Sequence, residues 1–203
     1  MKLFYSRGAC SLAVRIVVNE INVPCEFEAV DLKTKLTQSG ANFLAINAKG
    51  AVPTFITDEG NVLTENAVIQ QYIADTYKAT QVLPALGHFK RYQVLEWLNF
   101  VTTELHKGFS PLFNPDYPKD AKEKFIIPRL IDKFTFVNDQ LAGKSYLLGE
   151  DFTLPDGYLF VMLVWASSMK FELQHLEHLT RYYHELLKRD SIRRSLEEEG
   201  INR

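Results

Sequence analysis

The stretch that most restricts what this chain can become lies at its start: Lys2-Leu-Phe-Tyr-Ser-Arg-Gly-Ala-Cys10-Ser-Leu-Ala13. Residues 3–5 are a short apolar run that reads as a buried strand. Ser6-Arg7-Gly8 is turn chemistry, with Gly8 free to take backbone angles that other residues avoid. A helix is expected to open around Cys10 and Ser11, which seats a thiol at or beside a helix N-terminus. Unpaired N–H groups and the helix dipole there favour the thiolate of a group whose free pKa is about 8.5.

A strand, a tight turn and a thiol on the opening turn of a helix is an arrangement used in thiol redox proteins. In a C-x-x-C motif the second thiol falls three residues on, and here that position is Ala13. Cys10 therefore has no local resolving partner, and a redox cycle through it needs an external thiol. Glutathione is the obvious small thiol. The plainer alternative is that Cys10 is a small buried hydrophobe, the commoner fate of a free cysteine.

At 203 residues the chain holds one large domain or two small ones. A net charge of −2 gives no reason to expect nucleic acid or an anionic membrane as partner. Two cysteines, Cys10 and Cys25, cannot build a disulfide framework, which points to a reducing compartment. The N-terminus lacks the pattern of a secretory signal. The most apolar stretch, 158–166, is about half the length needed to cross a bilayer and reads as a core helix. A cytoplasmic protein is expected.

The first eighty or so residues alternate in type. Residues 12–18 are apolar on all sides and rich in Val and Ile, which by propensity alone suits a strand. Arg15, Asn19 and the need for a crossover between parallel strands argue for a buried helix instead. Residues 25–31 alternate as a half-buried strand, with Cys25 as packing. Residues 33–50 are polar and irregular, anchored by Phe43, Leu44 and Ile46. A strand at 54–57 turns back through Asp58-Glu59-Gly60-Asn61 into an edge strand, and Thr64-Glu65-Asn66 opens a helix. The order β-α-β-(α)-β-β-α is a thioredoxin-like layout. Residues 78–87 read as a linker, and the pattern beyond them is helical: 88–113, a helix through Ile127 to Leu141, 158–169, 175–188 and 191–199. Gly143 fits a helix C-terminal cap, and Thr153-Leu-Pro-Asp156 is a capping-box pattern. The domains are therefore set at 1–80 and 87–203.

This α/β thioredoxin-like module followed by an all-helical one resembles the glutathione S-transferases, in particular the bacterial beta class. The matching stretches are Leu3-Phe4-Tyr5…Gly8-Ala9-Cys10-Ser11, Asn47-Ala48-Lys49-Gly50-Ala51-Val52-Pro53, Leu63-Thr64-Glu65-Asn66, and Glu96-Trp97-Leu98-Asn99…Thr103-Glu104-Leu105-His106-Lys107-Gly108-Phe109. They spread over both modules and in the family's order. The resemblance implies attack of a glutathione thiolate on hydrophobic electrophiles bound between the modules. It also implies a homodimer, and glutathione as co-substrate with no further cofactor.

It further implies roles for particular residues. Cys10 and His106 would be catalytic. A cis peptide before Pro53 would turn the backbone of Val52 toward the cysteinyl part of glutathione as a short added strand. Asn66 and the helix N-terminus would hold the γ-glutamyl carboxylate and Glu65 its ammonium, although Thr64 or Asn66 also suits a simple helix cap. Lys35 would meet the glycyl carboxylate, with Lys33 a near competitor. At about 100° per residue, Asn99, Thr103 and His106 fall within about 60° of one another and form a polar stripe, some of which reaches the ligand of the neighbouring subunit. Lys107 adds positive potential. Tyr5 is expected to pack, and Ser11, which could donate a hydrogen bond to the glutathione thiolate, to have local work as a helix-cap residue. His175, His178 and His184 have no metal-ligand spacing.

Two rival functions remain. Cys10 forming a mixed disulfide with glutathione would make thiol-disulfide exchange or peroxide reduction the activity. A non-catalytic ligand-binding or protein-interaction module would keep the fold without the chemistry.

Overall fold

The computed structural model describes residues 1–202 of the chain, which form two compact units. The first comprises Met1–Ala85 together with the segment that begins at Lys188, and the second Leu86–Leu187. The composition shift near residue 87 marks where the helices begin. It carries no sign that the last of them, α10 (Asp190–Glu198), packs on α1 (Leu12–Glu20) and so belongs with the first unit. The expected division at 87–203 is corrected accordingly.

In the first unit β1 (Lys2–Tyr5) lies at the centre of a five-stranded sheet of order β3-β2-β1-β4-β5. It runs parallel to β2 (Glu26–Asp31), with Leu3 opposite Phe27, and antiparallel to β4 (Thr54–Ile56), with Leu3 opposite Phe55. The parallel pair requires a crossover, and α1 supplies it. Residues 12–18 are all buried, Arg15 included, because α3 (Asn66–Thr76) and α10 both pack on α1. A helix covered on several sides needs no polar face, which explains a β-branched run in helical form. The turn at 58–61 joins β4 to β5 (Val62–Thr64). A two-residue strand, β3 (Leu36–Thr37), and a single turn, α2 (Phe43–Ile46), lie in the segment expected to be irregular.

The second unit begins with α4 (Phe89–Phe100), which runs on without a break through a π-helical turn at Val101–His106 into α5 (Lys107–Phe113). Next come the short α6 (Lys119–Ala121), a second π turn at Lys122–Ile126, and α7 (Ile127–Gln140). α8 (Leu154–Ser168) is buried over its first thirteen residues, and α9 (Glu177–Leu187) closes the unit. The start of α8 is held by Asp156, which is fully buried. Its carboxylate accepts from the Thr153 N–H (2.8 Å), the Thr153 hydroxyl (2.8 Å), the Leu147 N–H (3.0 Å) and the Tyr182 hydroxyl (2.8 Å). Among the described residues no helix is long and apolar enough to cross a membrane.

Candidate active site

Cys10 sits in the turn that leads from β1 into α1, just before the N-cap residue Ser11. The Ala9 N–H donates to the Ser6 carbonyl at 3.0 Å, and Gly8 takes the left-handed φ of +67° that the turn requires. Ser11 knits the turn from inside: it is fully buried, and its hydroxyl accepts from the Ser6 N–H (3.3 Å) and donates to the Ser6 carbonyl (3.4 Å). Ser11 stands at the N-cap position but makes no side-chain cap hydrogen bond, so its hydroxyl serves the turn and not the helix cap expected of it. Tyr5 packs edge-on against Phe27, as expected.

Cys10 is 7% exposed, but its thiol has a polar partner. Its thiol donates to the Val52 carbonyl at 3.3 Å, and the Val52–Pro53 peptide bond is cis. The loop that presents this carbonyl is shaped by Asn47. The Asn47 side-chain amide donates to the Ala51 carbonyl (3.0 Å) and the Thr54 hydroxyl (2.8 Å), while its Oδ1 accepts from the Lys49 N–H (3.0 Å).

Three more of the expected residues join this constellation. Asn66 is buried, and its side-chain amide donates to the Cys10 carbonyl at 2.6 Å while its Oδ1 accepts from Gln70 at 2.5 Å. Neither Thr64 nor Asn66 caps α3 with its side chain; the N-cap residue is Glu65, at φ +72°. The Glu65 carboxylate accepts from the Lys49 ammonium at 2.7 Å, and that ammonium also donates to the Thr64 hydroxyl at 2.9 Å. Lys35, not Lys33, reaches the loop: its ammonium donates to the Gly50 carbonyl at 2.7 Å. Gly50 takes a left-handed φ of +60°, and a Cβ there would stand 2.9 Å from Leu44 Cδ2 and 3.3 Å from Lys35 Nζ, so both of those side chains would have to shift.

The polar stripe of the second unit is divided. Asn99 and Thr103 are exposed, with the Thr103 hydroxyl donating back to the Asn99 carbonyl at 3.1 Å. His106 is half-buried, with Nδ1 2.5 Å from the Tyr158 hydroxyl and its ring edge-on to Trp165 at 5.2 Å. The reason is the π turn at Val101–His106, whose wider i→i+5 winding breaks the helical angle that put the three residues on one line. Thr103 lines a cavity of about 250 Å³ together with Glu104, Lys107, Ile126, Arg129 and Leu130. A salt bridge from Lys133 at 2.9 Å holds the Glu104 carboxylate below its usual range.

Tyr158 and Trp165 lie in a helix that the sequence marks only as core. The available signal was the Tyr158 hydroxyl, since a fully buried tyrosine calls for a polar partner. Trp165 also meets Phe109 (5.6 Å) and Phe113 (4.8 Å), and Phe113 is exposed, so His106 borders an aromatic wall.

The first unit is thus a thioredoxin-like sheet domain with a single thiol facing a cis-proline loop; the second is wholly helical. Residues 1–75 match the model of the glutathione S-transferase N-terminal domain, and residues 100–190 that of the C-terminal domain. The chain is 40% identical to the glutathione S-transferase GstA of Escherichia coli O157:H7, covering 99% of this chain and 100% of that protein. Its structure is similar to that of BphK, a bacterial glutathione transferase solved as a ternary complex (TM-score 0.95, 39% identity, 99% of this chain and 100% of that one). It is also similar to a beta-class enzyme from Sphingomonas chungbukensis (TM-score 0.94, 35% identity, the full length of both). The chain belongs to the glutathione S-transferase family.

Proposed function

We propose that this protein transfers the glutathione thiolate to hydrophobic electrophiles in the manner of the bacterial beta class. The sulfur forms a bond to an electrophilic carbon, the leaving group departs with its electron pair, and the thiol proton passes to solvent. The observation that carries the reading is the direct linkage of Cys10, Val52 and Asn66 through two hydrogen bonds.

On this reading the Val52 carbonyl, with two lone pairs, accepts from both Cys10 and the cysteinyl N–H of glutathione. Lys35 leaves the Gly50 carbonyl for the glycyl carboxylate. Because the Asn66 side chain is committed to Cys10 and Gln70, the γ-glutamyl carboxylate is held by backbone N–H groups at the start of α3. Glu65 exchanges Lys49 for the γ-glutamyl ammonium. Asn99 and Thr103 act on the ligand of a neighbouring subunit in a homodimer. The aromatic cluster of Trp97, Phe100 and Phe136 supports such an assembly, Phe136 being 45% exposed beside the charged Arg129, Asp132 and Lys133.

His106 is the second catalytic residue. With Tyr158 donating to Nδ1, the imidazole carries its proton on Nε2 as a donor for a developing thiolate. Lowering a thiol by two pKa units at neutral pH corresponds to about 2.7 kcal/mol, within reach of such donors and a helix N-terminus. Electrophiles would meet the aromatic wall of Phe113 and Trp165. A cytoplasmic role in detoxification completes the proposal.

The lone thiol supports a second reading. Cys10 thiolate attacks a glutathione mixed disulfide, takes up the glutathionyl sulfur and releases the substrate thiolate. A second glutathione then restores Cys10 and leaves as glutathione disulfide. Two assays on wild type and Cys10→Ala decide: conjugation to an aromatic halide, and reduction of a mixed disulfide. Conjugation that survives the substitution while exchange vanishes assigns Cys10 the redox role. Retention on immobilised glutathione with neither activity would make the protein a carrier.

A further inference from the structure

The turn that carries Cys10 is gripped from the far end of the chain. Glu199, just past α10, has a side chain with no exposed surface and spends both carboxylate oxygens on the N-terminal region. One accepts from the Gly8 N–H at 2.8 Å; the other accepts from Arg15 Nε at 3.1 Å. Gly8 lies two residues before Cys10, and Arg15 more than one helical turn after it. The carboxylate therefore brackets the thiol along the chain.

The surrounding contacts repeat the pattern. Arg7 donates to the Gly200 carbonyl, and the Ile201 side chain lies 3.8 Å from the point where a Cβ on Gly8 would stand. Arg15 is 2% exposed, donates through Nη1 to Glu198 at 3.1 Å, and lies over the rings of Phe27 (3.7 Å) and Tyr5 (4.4 Å). Its Nη2 is buried with no hydrogen-bond partner among the described residues.

An incompletely satisfied buried ion pair is a poor source of stability, because desolvation offsets the attraction and apolar residues of similar volume do as well. What no apolar pair can do is accept the Gly8 N–H. We propose that Glu199 is a positioning residue for Cys10, so that the C-terminal helix is a working part of the thiol site. The proposal rests on the reading of Cys10 as the thiol that meets glutathione.

The test uses the full-length protein with Cys25→Ser as background, so that Cys10 is the sole thiol. Glu199→Gln keeps the shape but replaces one of the two oxygens by an NH₂ donor, so whichever of Gly8 and Arg15 faces that nitrogen loses its acceptor. The rate of Cys10 alkylation by iodoacetamide is followed from pH 5 to 10, and steady-state kinetics are measured with glutathione. The expected result is a displaced midpoint in the alkylation profile and a loss of at least tenfold in kcat/KM, well below the unfolding temperature. A second variant, Arg15→Met/Glu199→Met, is expected to fold with wild-type stability and show the same displacement, which covers the case of an unfolded single variant. Either folded variant with the parent's alkylation profile and kcat/KM within twofold overturns the proposal, whatever its stability. The alkylation profile needs no glutathione, so a wild type that neither binds nor turns over glutathione would overturn the proposed function separately.

Discussion

Asn66 and Cys10, fifty-six positions apart, are joined by a 2.6 Å hydrogen bond from the Asn66 side-chain amide to the Cys10 carbonyl. That carbonyl also accepts the Ala13 N–H at 3.1 Å, so one oxygen ties the start of α1 to the start of α3. The site is therefore a junction of two helix openings, and its precision depends on a group that is no part of either helix ladder.

Replacing Asn66 tests this junction. Asn66→Ala removes one partner of the Cys10 carbonyl and takes the acceptor from Gln70, which is fully buried and whose Oε1 has no partner among the described residues. Stranding a buried polar group costs about 1–3 kcal/mol, so urea unfolding should show a loss of about 2 kcal/mol. Asn66→Asp keeps the acceptor for Gln70 but turns a carboxylate oxygen toward the Cys10 carbonyl, and the KM for glutathione should rise about tenfold. An unchanged urea midpoint for Asn66→Ala would show that the bond carries no weight.

Cys25 should be chemically quiet. Burial pushes its thiol up to about 11, and the thiol donates to the Glu26 carbonyl at 3.3 Å. At pH 7.5 that leaves about three hundredfold less thiolate than an ordinary thiol of pKa about 8.5 has. In Cys10→Ala, where Cys25 is the only thiol left, alkylation by iodoacetamide should be slow by about that factor relative to a small free thiol. It should quicken about tenfold per pH unit up to pH 10. Rapid labelling at neutral pH would contradict the assignment.

What could be read in advance follows a physical line. The strand, turn and thiol at 2–13, the hairpin at 58–61 and the cap at Thr153 and Asp156 are local chemistry, and each lies where residue types alone put it. The cis Val52–Pro53 bond came from family resemblance, since a proline at a strand start is ordinarily trans. Three features were invisible because distant residues decide them. The π turn at Val101–His106 leaves no mark in hydrophobic spacing yet parts His106 from Asn99 and Thr103. The commitment of Asn66 to Cys10 needs the two helices in place. The return of α10 to α1 was signalled only by Arg15, Asn19 and Glu20 on a helix otherwise apolar, with nothing to name their partners.

Acid should weaken the first unit through Glu28. Its carboxylate accepts from the Ser39 hydroxyl at 2.6 Å and the Lys2 ammonium at 3.2 Å, and Ser39 first, then Thr37 and Lys2, bring its pKa down to about 2. A carboxyl lower in the folded than the unfolded chain, where it titrates near 4.3, stabilises fully above that value. The contribution fades as pH falls toward 2. Allowing for solvent screening, it amounts to about 1–2 kcal/mol. Between pH 6 and pH 3, wild type should therefore lose about 1 kcal/mol more than Glu28→Gln in urea titrations. Parallel losses in the two proteins would remove Glu28 from the account.

The His106–Tyr158 contact supplies the sharpest test of the proposed chemistry. Tyr158 is fully buried, and its hydroxyl lies 2.5 Å from His106 Nδ1. If that hydroxyl donates, it fixes the imidazole proton on Nε2; Tyr158→Phe keeps the ring against His106 but releases the tautomer. Loss of one such hydrogen bond costs about 1 kcal/mol, or about fivefold in a rate that depends on it. The expected result is kcat for conjugation reduced about fivefold with the KM for glutathione unchanged, and a larger loss of kcat in His106→Ala. A purely structural bond predicts otherwise: Tyr158→Phe would unfold more easily while kcat, measured well below the transition, stayed at the wild-type value. That result would withdraw His106 from the catalytic pair and leave the thiol site of the first unit to activate glutathione alone.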